Sequence, residues 1–444
     1  MISREQTNTD QRNRLRRFAL VTQPFGATLF DRERVQYFPF DHDAADILRE
    51  WTVTSCDATI ASQTCPEQRD KVIRFAEHLI RDSILGCDGR IDADVVMPQS
   101  GSQAHPQHQN SNWLSGPLVA HVEVIGACNI TCTHCFAGSL PRNHDPLRLA
   151  EFEALFADLA SIGCFRASLT GGEPLLRSDL FDIIDVAIAN QLHVTVTTNG
   201  TLLTPSIARE FGKRRAVRVN LSLEGATPES NDTVRGAGVF DQVREKARLL
   251  RQHTDFTVGF TLTRQNAAEA ESCADLAKQL GARAAVFRPL FPVGLAQQHP
   301  EMMQSFAEYS QTLQQILRFA EDDSPLVEDN QECAAGRMLA SVSAQGDVNA
   351  CGFLGSKYVA ANIRDRKFSE IWNDRHLMAE FRDSAAVANE MGATVAHEGF
   401  RGGCRARALA ANGSANASDP WHDDFERMSD ANFFPISNLS VTRG

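Results

Sequence analysis

The stretch HVEVIGACNITCTHCFAG, residues 121–138, carries three cysteines directly after an apolar, strand-like run. They are Cys128, Cys132 and Cys135, in the spacing C-x3-C-x2-C. This spacing places three thiolates on one short loop, where they can hold three corners of a single iron–sulfur cubane. The loop offers no fourth cysteine, so one iron of such a cubane would keep an open position for a ligand.

Other interpretations of the three cysteines compete with this one. Disulfides need an oxidising compartment, and the polar N-terminus MISREQTNTDQRNRLRR has no apolar segment typical of a signal peptide. Zinc would want four ligands, with His134 or His121 completing the set. From spacing alone, an iron–sulfur cluster, a zinc site and incidental cysteines all stay open.

A second segment, TGGEP at residues 170–174, follows the strand-like run FRASL. Gly171 and Gly172 lack a Cβ atom, so the backbone can approach a ligand closely there. Glu173 presents a carboxylate at a strand end, where it can accept a hydrogen bond from an ammonium group. One predicted helix separates this segment from the cysteine loop.

The two segments together resemble the radical S-adenosylmethionine (SAM) superfamily, over residues 116–294. In that family, three cysteines in C-x3-C-x2-C hold a [4Fe–4S] cluster, and the amino and carboxylate groups of SAM chelate the open iron. Cleavage of SAM yields methionine and a 5′-deoxyadenosyl radical, which abstracts a hydrogen atom from the substrate. The resemblance implies that Cys128, Cys132 and Cys135 are the cluster ligands.

The resemblance also implies a set of SAM contacts. They are His134, Gly171, Gly172, Glu173, Asn199, Ser222 and Arg235. His134 stands where the family usually has an aromatic residue beside the adenine. Arg235, in NDTVRG at residues 231–236, would neutralise the SAM carboxylate, with Ser222 as a hydrogen-bonding partner. The alternatives are a surface arginine and ordinary turn chemistry in TTNG (197–200) and SLEG (222–225).

Short β-branched runs alternate with helical patterns over residues 118–294. The strand-like runs are LVAHVEVI, FRASL, HVTVTTN, VRVNLSLE, FTVGFTLT and AAVFRPL. This alternation predicts an α/β fold with a parallel sheet and outer helices, curled by right-handed crossovers into a partial (β/α)6 barrel. Sites in such folds lie at the carboxyl ends of strands, where the cysteine loop and the GGEP, TTNG and SLEG segments fall.

A second group of cysteines follows the barrel. Cys333 and Cys351 form a C-x12-G-x4-C pattern, which resembles the opening of the SPASM extension that holds auxiliary [4Fe–4S] clusters. The pattern predicts a hairpin with its turn at Gly346. Cys404, in FRGGCRARA, would join the pair, whereas Phe400 replaces the preceding cysteine of that family and other cysteines are missing. We therefore expect a single auxiliary cluster.

The fourth ligand of this auxiliary cluster stays open. The candidates are a water, the substrate, or a carboxylate of Glu328, Asp329 or Glu332. Three unrelated core cysteines or a zinc site on the same thiolates are the alternatives.

Residues 1–96 resemble the PQQ-biosynthesis peptide chaperone, a small winged-helix-like α+β module. Strand candidates ALVTQPF, ATLFDR and VQYFPF precede helix candidates HDAADILREW and PEQRDKVIRFAEHLIRDSI. In that family, which includes the recognition element for ribosomally made, post-translationally modified peptides (RiPPs), a leader peptide adds as an extra strand to a sheet edge. An accessory domain without peptide binding is the alternative.

Five segments follow from these patterns. They are a recognition module (1–96), a linker rich in Ser, Gln, His and Asn (97–117), the barrel (118–294), a partial SPASM domain (295–411) and a polar tail (412–444).

Composition limits the partners. The net charge of −12 and pI of about 5.6 argue against nucleic acid and anionic membranes. No run approaches the roughly 20 apolar residues that span a bilayer. Eleven cysteines without an export signal favour a reducing cytoplasm and metal ligation.

The leading hypothesis is a radical SAM oxidoreductase, a maturase that installs a crosslink, a thioether or another C–H modification in a RiPP precursor. It would receive electrons from flavodoxin or ferredoxin. One alternative is an enzyme acting on a tetrapyrrole or other cofactor precursor, because RGGCRARA also resembles enzymes of heme and heme d1 synthesis. A non-catalytic, zinc-stabilised peptide-binding scaffold is another.

Overall fold

The computed structural model describes residues 16–97, 113–138, 145–319, 333–382 and 403–421. Its first part is a four-stranded sheet with the order β3-β2-β1-β4. The strands are β1 (Phe18–Gln23), β2 (Gly26–Asp31), β3 (Gln36–Phe40) and β4 (Ala93–Val96). The helices between β3 and β4 are α1 (His42–Trp51), α2 (Cys56–Ser62) and α3 (Pro66–Arg81). The pattern predicts all of these elements except α2 and β4.

This N-terminal module has its own apolar core. Strands β1, β2 and β3 pair antiparallel, and β4 pairs parallel to β1. The side chain of Asp41 caps α1 by accepting a hydrogen bond from the Ala44 amide. Helical spacing then places Ala45, Leu48 and Trp51 on one buried face of α1 against the sheet.

The predicted partial barrel is present as six adjacent parallel strands in the order β10-β9-β8-β7-β6-β5. They are β5 (Val119–Ile125), β6 (Arg166–Gly171), β7 (His193–Thr198), β8 (Val217–Leu223), β9 (Phe256–Leu262) and β10 (Ala284–Pro289). The connecting helices are α4 (Leu149–Ser161), α5 (Leu180–Ala189), α6 (Pro205–Gly212), α7 (Pro228–Arg235), α8 (Val239–Arg251) and α9 (Ala270–Leu280).

Each barrel strand separates an apolar face from a polar one. On β8, Val217, Val219 and Leu221 are buried in the core that the strands share with the helices. The alternate residues, which include Arg218 and Asn220, are half-buried on the opposite face. Because successive side chains of a strand point to opposite faces, this second set lines the inside of the barrel.

The C-terminal region extends the barrel sheet. Helix α10 (Phe306–Phe319) precedes the strands β11 (Leu339–Val342), β12 (Asp347–Asn349) and β13 (Val359–Asn362). The predicted hairpin is present as the antiparallel pair β11–β12, and Gly346 takes a φ of 93° in its turn, a conformation that favours glycine. Strand β11 also pairs parallel with β5, which gives a nine-stranded sheet. The sequence pattern does not predict this pairing.

Three short helices lie in the described part of the C-terminal region. They are α11 (Phe368–Asn373), α12 (Ala379–Arg382) and α13 (Arg405–Asn412). Residues 98–112 of the predicted linker and 422–444 of the predicted tail lie outside the described residues. The last linker residues are held by hydrogen bonds: the Leu114 carbonyl accepts one from the Trp372 indole, and the Ser115 amide donates one to Gln23.

Within the described ranges, no helix is both long and apolar enough to cross a bilayer.

The N-terminal module packs against the amino ends of β6 and β7. The Phe30 ring stacks on Phe165, with centroids 5.6 Å apart. The Phe165 amide donates a hydrogen bond of 3.2 Å to the Tyr37 hydroxyl, and the Arg32 guanidinium donates one of 2.8 Å to Gln191. Phe165, the residue before β6, is therefore the apolar centre of this contact.

Replacing Phe165 with alanine will lower the free energy of unfolding by about 3 kcal/mol, because a fully buried ring is lost from a packed contact. Denaturant titration measures the change. Phe25→Ala is the matched control: Phe25 is 40% exposed, so its loss will be below about 0.5 kcal/mol. Equal losses in the two variants would contradict this account of the contact.

Candidate functional site

The three predicted cysteines lie on the loop that follows β5 at the carboxyl end of the barrel. The Cys135 amide donates to the Cys132 carbonyl at 3.2 Å, and the Thr133 amide donates to the Val234 carbonyl at 3.0 Å. Burial raises the pKa of the Cys132 thiol to about 11, although the nearby Arg235 charge acts to lower it. Metal ligation requires loss of this thiol proton, so a metal centre held here would have to offset the cost of burying the thiolate.

The geometry differs from that of a mononuclear metal site. Among the described residues, no three His, Cys, Asp or Glu side chains come close enough together to hold a single metal ion. The thiols of Cys128 and Cys135 nevertheless lie near enough to Cys132 for their charges to raise its pKa. The loop gathers the three sulfurs without closing them around one ion.

The Gly171–Gly172 segment lies directly against the cysteine loop. The Gly172 amide donates to the Ile125 carbonyl at 2.7 Å, and the Glu173 amide donates to the Ala127 carbonyl at 2.8 Å. A Cβ atom on Gly172 would lie 2.0 Å from the Ala127 oxygen. The glycines are therefore needed for contact between two backbone segments, whereas the sequence predicts contact with a ligand.

The Glu173 carboxylate is fully buried and held by three donors. Its Oε1 accepts from the Thr198 hydroxyl at 2.6 Å and from the Leu175 amide at 3.0 Å. Its Oε2 accepts from the Asn199 amide at 2.8 Å. Burial raises the pKa of Glu173 despite these bonds. A cationic ligand beside this carboxylate would offset the cost of burying its charge.

Asn199 connects this carboxylate to the cysteine loop. Its side-chain amide donates to the Asn129 carbonyl oxygen at 2.9 Å and lies 3.8 Å from the Cys128 sulfur. Its own oxygen accepts from the hydroxyl and amide of Thr201. Asn129 and Thr201 are absent from the sequence-based prediction, although the C-N-I-T-C and TTNGT strings contain them.

Glu224 joins two predicted site residues. Its Oε1 lies 3.0 Å from His134 Nε2 and 3.2 Å from a terminal nitrogen of Arg235, while the Thr261 amide donates to Oε2 at 2.8 Å. Burial acts to raise the pKa of Glu224, but the charges of His134 and Arg235 outweigh it and hold the pKa below its ordinary value. The sequence prediction omits Glu224, although the SLEG string contains it.

Arg235 contacts a carboxylate that the sequence prediction does not name. Its partner in the protein is Glu224, and Ser222, half-buried on β8, makes no hydrogen bond to it among the described residues. Arg235 Nε and its second terminal nitrogen are buried without a hydrogen-bond partner. The His134 Nδ1 is also unpartnered and buried. Three polar atoms thus stay available to a ligand that the structure does not include.

The second cysteine group assembles at the far end of the extended sheet. Cys351 precedes a 3-10 helix (Gly352–Leu354), and burial raises the pKa of its thiol to about 12, with added contributions from Cys333 and Cys404. Burial also raises the pKa of Cys404 to about 11. The Cys404 amide donates to Asp419 at 2.6 Å. Hence these three thiols share one partly buried site, next to a carboxylate that the sequence prediction assigns to the tail.

Arg407 neutralises that carboxylate, at 2.8 Å from Asp419, and the Asp419 side chain is fully buried. The predicted fourth-ligand candidates Glu328, Asp329 and Glu332, together with Phe400, lie outside the described residues.

Comparison with known proteins agrees with this geometry. The radical SAM superfamily profile matches residues 122–277, and the profile of an iron–sulfur cluster-binding domain, SPASM, matches residues 333–393. The mycofactocin maturase MftC of Mycobacterium tuberculosis is 30% identical over 326 residues, which cover 69% of this chain and 83% of that protein.

The chain belongs to the radical SAM superfamily. It is a radical SAM enzyme with a C-terminal SPASM domain, and its cofactors are SAM, a [4Fe–4S] cluster and an auxiliary cluster. This membership decides between the iron–sulfur and zinc interpretations.

This radical SAM enzyme is also similar to a second enzyme by sequence and to a solved structure by fold. The AdoMet-dependent heme synthase of Methanosarcina barkeri is 28% identical over 343 residues, 69% of this chain and 96% of that protein. The crystal structure of Streptococcus suis SuiB bound to its precursor peptide SuiA has a TM-score of 0.68 at 16% identity, over 91% of this chain and 97% of SuiB. The likeness to SuiB shows a shared fold.

Replacing Glu224 with glutamine will lower the free energy of unfolding by about 3 kcal/mol at pH 7, because it leaves the Arg235 charge buried without its counter-charge. The extra stability of the wild type is fully present above about pH 4.3, which is the pKa of a glutamate in the unfolded chain. It disappears as the pH falls through the lower pKa of Glu224 in the folded protein. Denaturant titration at several pH values measures both effects.

Glu308→Gln is the matched control for this experiment. Glu308 pairs with Arg264 at 3.0 Å on the surface, where an ion pair contributes at most about 1 kcal/mol. A loss for Glu224→Gln that matches the control, or that does not change with pH, would show that the buried pair does not stabilise the site.

Proposed function

We propose that this radical SAM enzyme is a maturase that modifies a ribosomally made precursor peptide, by a crosslink, a thioether or another C–H functionalisation. The observation that carries the proposal is the combination of two separate cysteine groups on one sheet with a small N-terminal sheet that packs against the barrel. Similarity to a peptide maturase at 30% identity, and a fold shared with SuiB over 91% of the chain, support it.

In this proposal, Cys128, Cys132 and Cys135 hold the [4Fe–4S] cluster at which SAM binds. When bound, the cluster and SAM supply a 5′-deoxyadenosyl radical able to abstract hydrogen from an unactivated carbon. Asn199, whose side-chain nitrogen lies 3.8 Å from the Cys128 sulfur, orients that ligand and ties it to the chain that carries Glu173.

The remaining residues of this site orient SAM. Glu173, with its two oxygens fixed by three donors, accepts from the SAM ammonium group beside Gly171 and Gly172. Arg235 offers its unpartnered nitrogens to the SAM carboxylate, since a guanidinium matches a carboxylate in shape. His134, held by Glu224, is the residue proposed beside the adenine. Ser222 on β8 is the proposed hydrogen-bonding partner at the SAM carboxylate, next to Arg235.

The second group, Cys333, Cys351 and Cys404, holds the auxiliary cluster, which supplies an electron acceptor for an oxidative product. Asp419 accepts from the Cys404 amide and is neutralised by Arg407, so it sets the position of this cysteine.

Flavodoxin or ferredoxin is the proposed electron donor. The cytoplasm is the proposed location, because oxygen-sensitive clusters need a reducing compartment. No role is assigned to a nucleic acid or a membrane.

The N-terminal module, residues 1–96, is the proposed leader-binding element. The other proposed segments are the linker (97–117), the barrel (118–294), the SPASM domain (295–411) and the tail (412–444). Strand β3 lies at one edge of its sheet, where a peptide strand can add by backbone hydrogen bonds. Pro39 within β3 has no amide hydrogen, a feature confined to edge strands within sheets.

Two triple variants test the cysteine assignments, each as the control for the other. Replacing Cys128, Cys132 and Cys135 with alanine will abolish reductive formation of 5′-deoxyadenosine. Replacing Cys333, Cys351 and Cys404 will remove about half of the iron, because one of two four-iron clusters is lost, and will keep SAM cleavage measurable. Persistent 5′-deoxyadenosine in the first variant, or unchanged iron in the second, would refute the respective assignment.

Incubation with short peptides encoded by the neighbouring open reading frames tests the function. The expected result is a mass change of the peptide that requires SAM and reductant. Hydrogen exchange of the same complex will show protection of residues 35–41, which contain β3, and none of residues 93–97, which contain the opposite edge strand β4. A peptide left unmodified, together with turnover of a tetrapyrrole precursor, would favour the heme-synthase-like alternative.

A further inference from the structure

The amino end of the barrel interior contains a group of basic side chains that the proposed chemistry does not use. Arg166 begins β6 and pairs in register with His193, the first residue of β7. Arg218, on β8, pairs in register with Thr195. Strand alternation puts Arg166, His193 and Arg218 on the inner face, because their neighbours Ala167, Val194 and Val219 belong to the outer core. We name these three residues the amino-end basic site.

No carboxylate of the described residues contacts the two guanidinium groups of this site. Neither guanidinium has a hydrogen bond or an ion pair among the described residues, in a chain with 56 acidic and 44 basic residues. Asp255 attracts Arg218 from a longer distance, and Arg283 repels it. Burial also lowers the pKa of Arg218. Two partly buried positive charges without a contacting carboxylate are costly unless an anion binds there.

His193 supplies an independent sign of a missing ligand. It is 9% exposed, and its Nδ1 atom is buried without a hydrogen-bond partner. Burial, followed by the charges of Arg218 and Arg166, lowers the pKa of His193 to about 3. The imidazole is therefore neutral beside two cations, and an anion between them would both accept its hydrogen bond and raise its pKa.

The amino-end basic site and the proposed SAM-binding residues lie at opposite ends of the barrel interior. Arg218 and Ser222 are four residues apart on β8, about 13 Å at about 3.3 Å per residue. The layer between them is lined by hydroxyl and amide side chains, including Thr197, Asn220 and Thr257, which the sheet register aligns. An extended peptide of about four residues spans that distance, so one substrate can touch both ends.

The N-terminal module adjoins the same end of the barrel. Tyr37, on the edge strand β3, accepts a hydrogen bond from the Phe165 amide, and Phe165 directly precedes Arg166. Tyr37 also lies near enough to Arg166 for that charge to act on its pKa. The edge strand proposed to bind the leader and the amino-end basic site therefore lie on the two sides of the same contact between the module and the barrel.

We propose that Arg166, His193 and Arg218 bind a carboxylate of the peptide substrate, from an acidic side chain or from the peptide C-terminus. This inference rests on the proposed peptide-modifying function and adds a determinant of specificity to it. Carboxylates are the anions that an unmodified ribosomal peptide carries, and a guanidinium pair binds them with directed hydrogen bonds. Arg166 and Arg218 contribute charge, and His193 contributes a neutral donor.

The first experiment tests the site without any peptide. Reconstituted holoenzyme with labelled histidine is titrated with glutarate or with the uncharged glutaramide, and the His193 ring signal, assigned with His193→Gln, is followed by NMR. Glutarate will shift this signal in the wild type but not in Arg166→Gln/Arg218→Gln, and glutaramide will not. Arg215→Gln, which removes one positive charge at an exposed residue two positions before β8, will behave as the wild type.

Several outcomes would overturn the proposal. The first is no shift of the His193 signal with glutarate in the wild type, and the second is an equal shift with glutaramide. The third is an unchanged response to glutarate in the double variant. The fourth is a larger shift with inorganic phosphate, which would assign the site to a different anion. This readout does not depend on peptide turnover, so failure of the site is distinguishable from failure of the proposed function.

The second experiment uses the precursor peptide. Arg166→Gln and Arg218→Gln will each raise KM by about tenfold, the loss expected for a charged hydrogen bond, and leave kcat near its wild-type value. Two kinds of altered peptide identify the carboxylate that binds: peptides in which one acidic residue is changed to its amide, and a peptide with an amidated C-terminus. The peptide that lacks the bound carboxylate will show a raised KM with the wild-type enzyme but no further rise with the arginine variants. KM values that respond to none of these peptides would contradict a carboxylate ligand.

Discussion

The arrangement of the site depends on one close contact between two backbone segments. The chain at Gly171 and Gly172 hydrogen-bonds to the carbonyls of Ile125 and Ala127, at distances that leave no room for a side chain on Gly172. This contact joins the end of β6 to the start of the cysteine loop. Because Glu173 follows directly, the same contact fixes its backbone next to the cysteine loop, and the Thr198 hydroxyl and the Leu175 and Asn199 amides then hold its carboxylate.

Buried charges then define the rest of the site. Glu173 is held by hydroxyl and amide donors, and no cation of the described residues contacts its carboxylate, although the Arg235 charge acts on it from a longer distance. Glu224, by contrast, contacts both Arg235 and His134. The difference matters because a buried carboxylate without a counter-charge favours a cationic ligand. The two carboxylates therefore have different surroundings: Glu224 contacts protein side chains, and Glu173 is the one that the proposed function assigns to the cofactor.

Continuity of the sheet connects the two cysteine groups. Strand β11 pairs with β5, the strand that leads into the first cysteine loop, and its hairpin partner β12 leads into Cys351. The second group is thus attached to the barrel by backbone hydrogen bonds. The Trp372 indole, bonded to the Leu114 carbonyl just before β5, fixes the same region from outside. A rigid connection of this kind keeps two redox sites at a constant separation.

The amino acid sequence by itself determined the six barrel strands, the β11–β12 hairpin and the cysteine spacing, because alternation of apolar residues and loop spacing are local properties of the chain. It also determined the position of Glu173 at a strand end. Only the tertiary structure decided that β11 extends the barrel sheet, that Glu224 pairs with Arg235 and His134, and that Asp419 reaches Cys404. These contacts join residues distant along the chain, and no local pattern encodes which of many charged or apolar groups will meet once the sheet has closed.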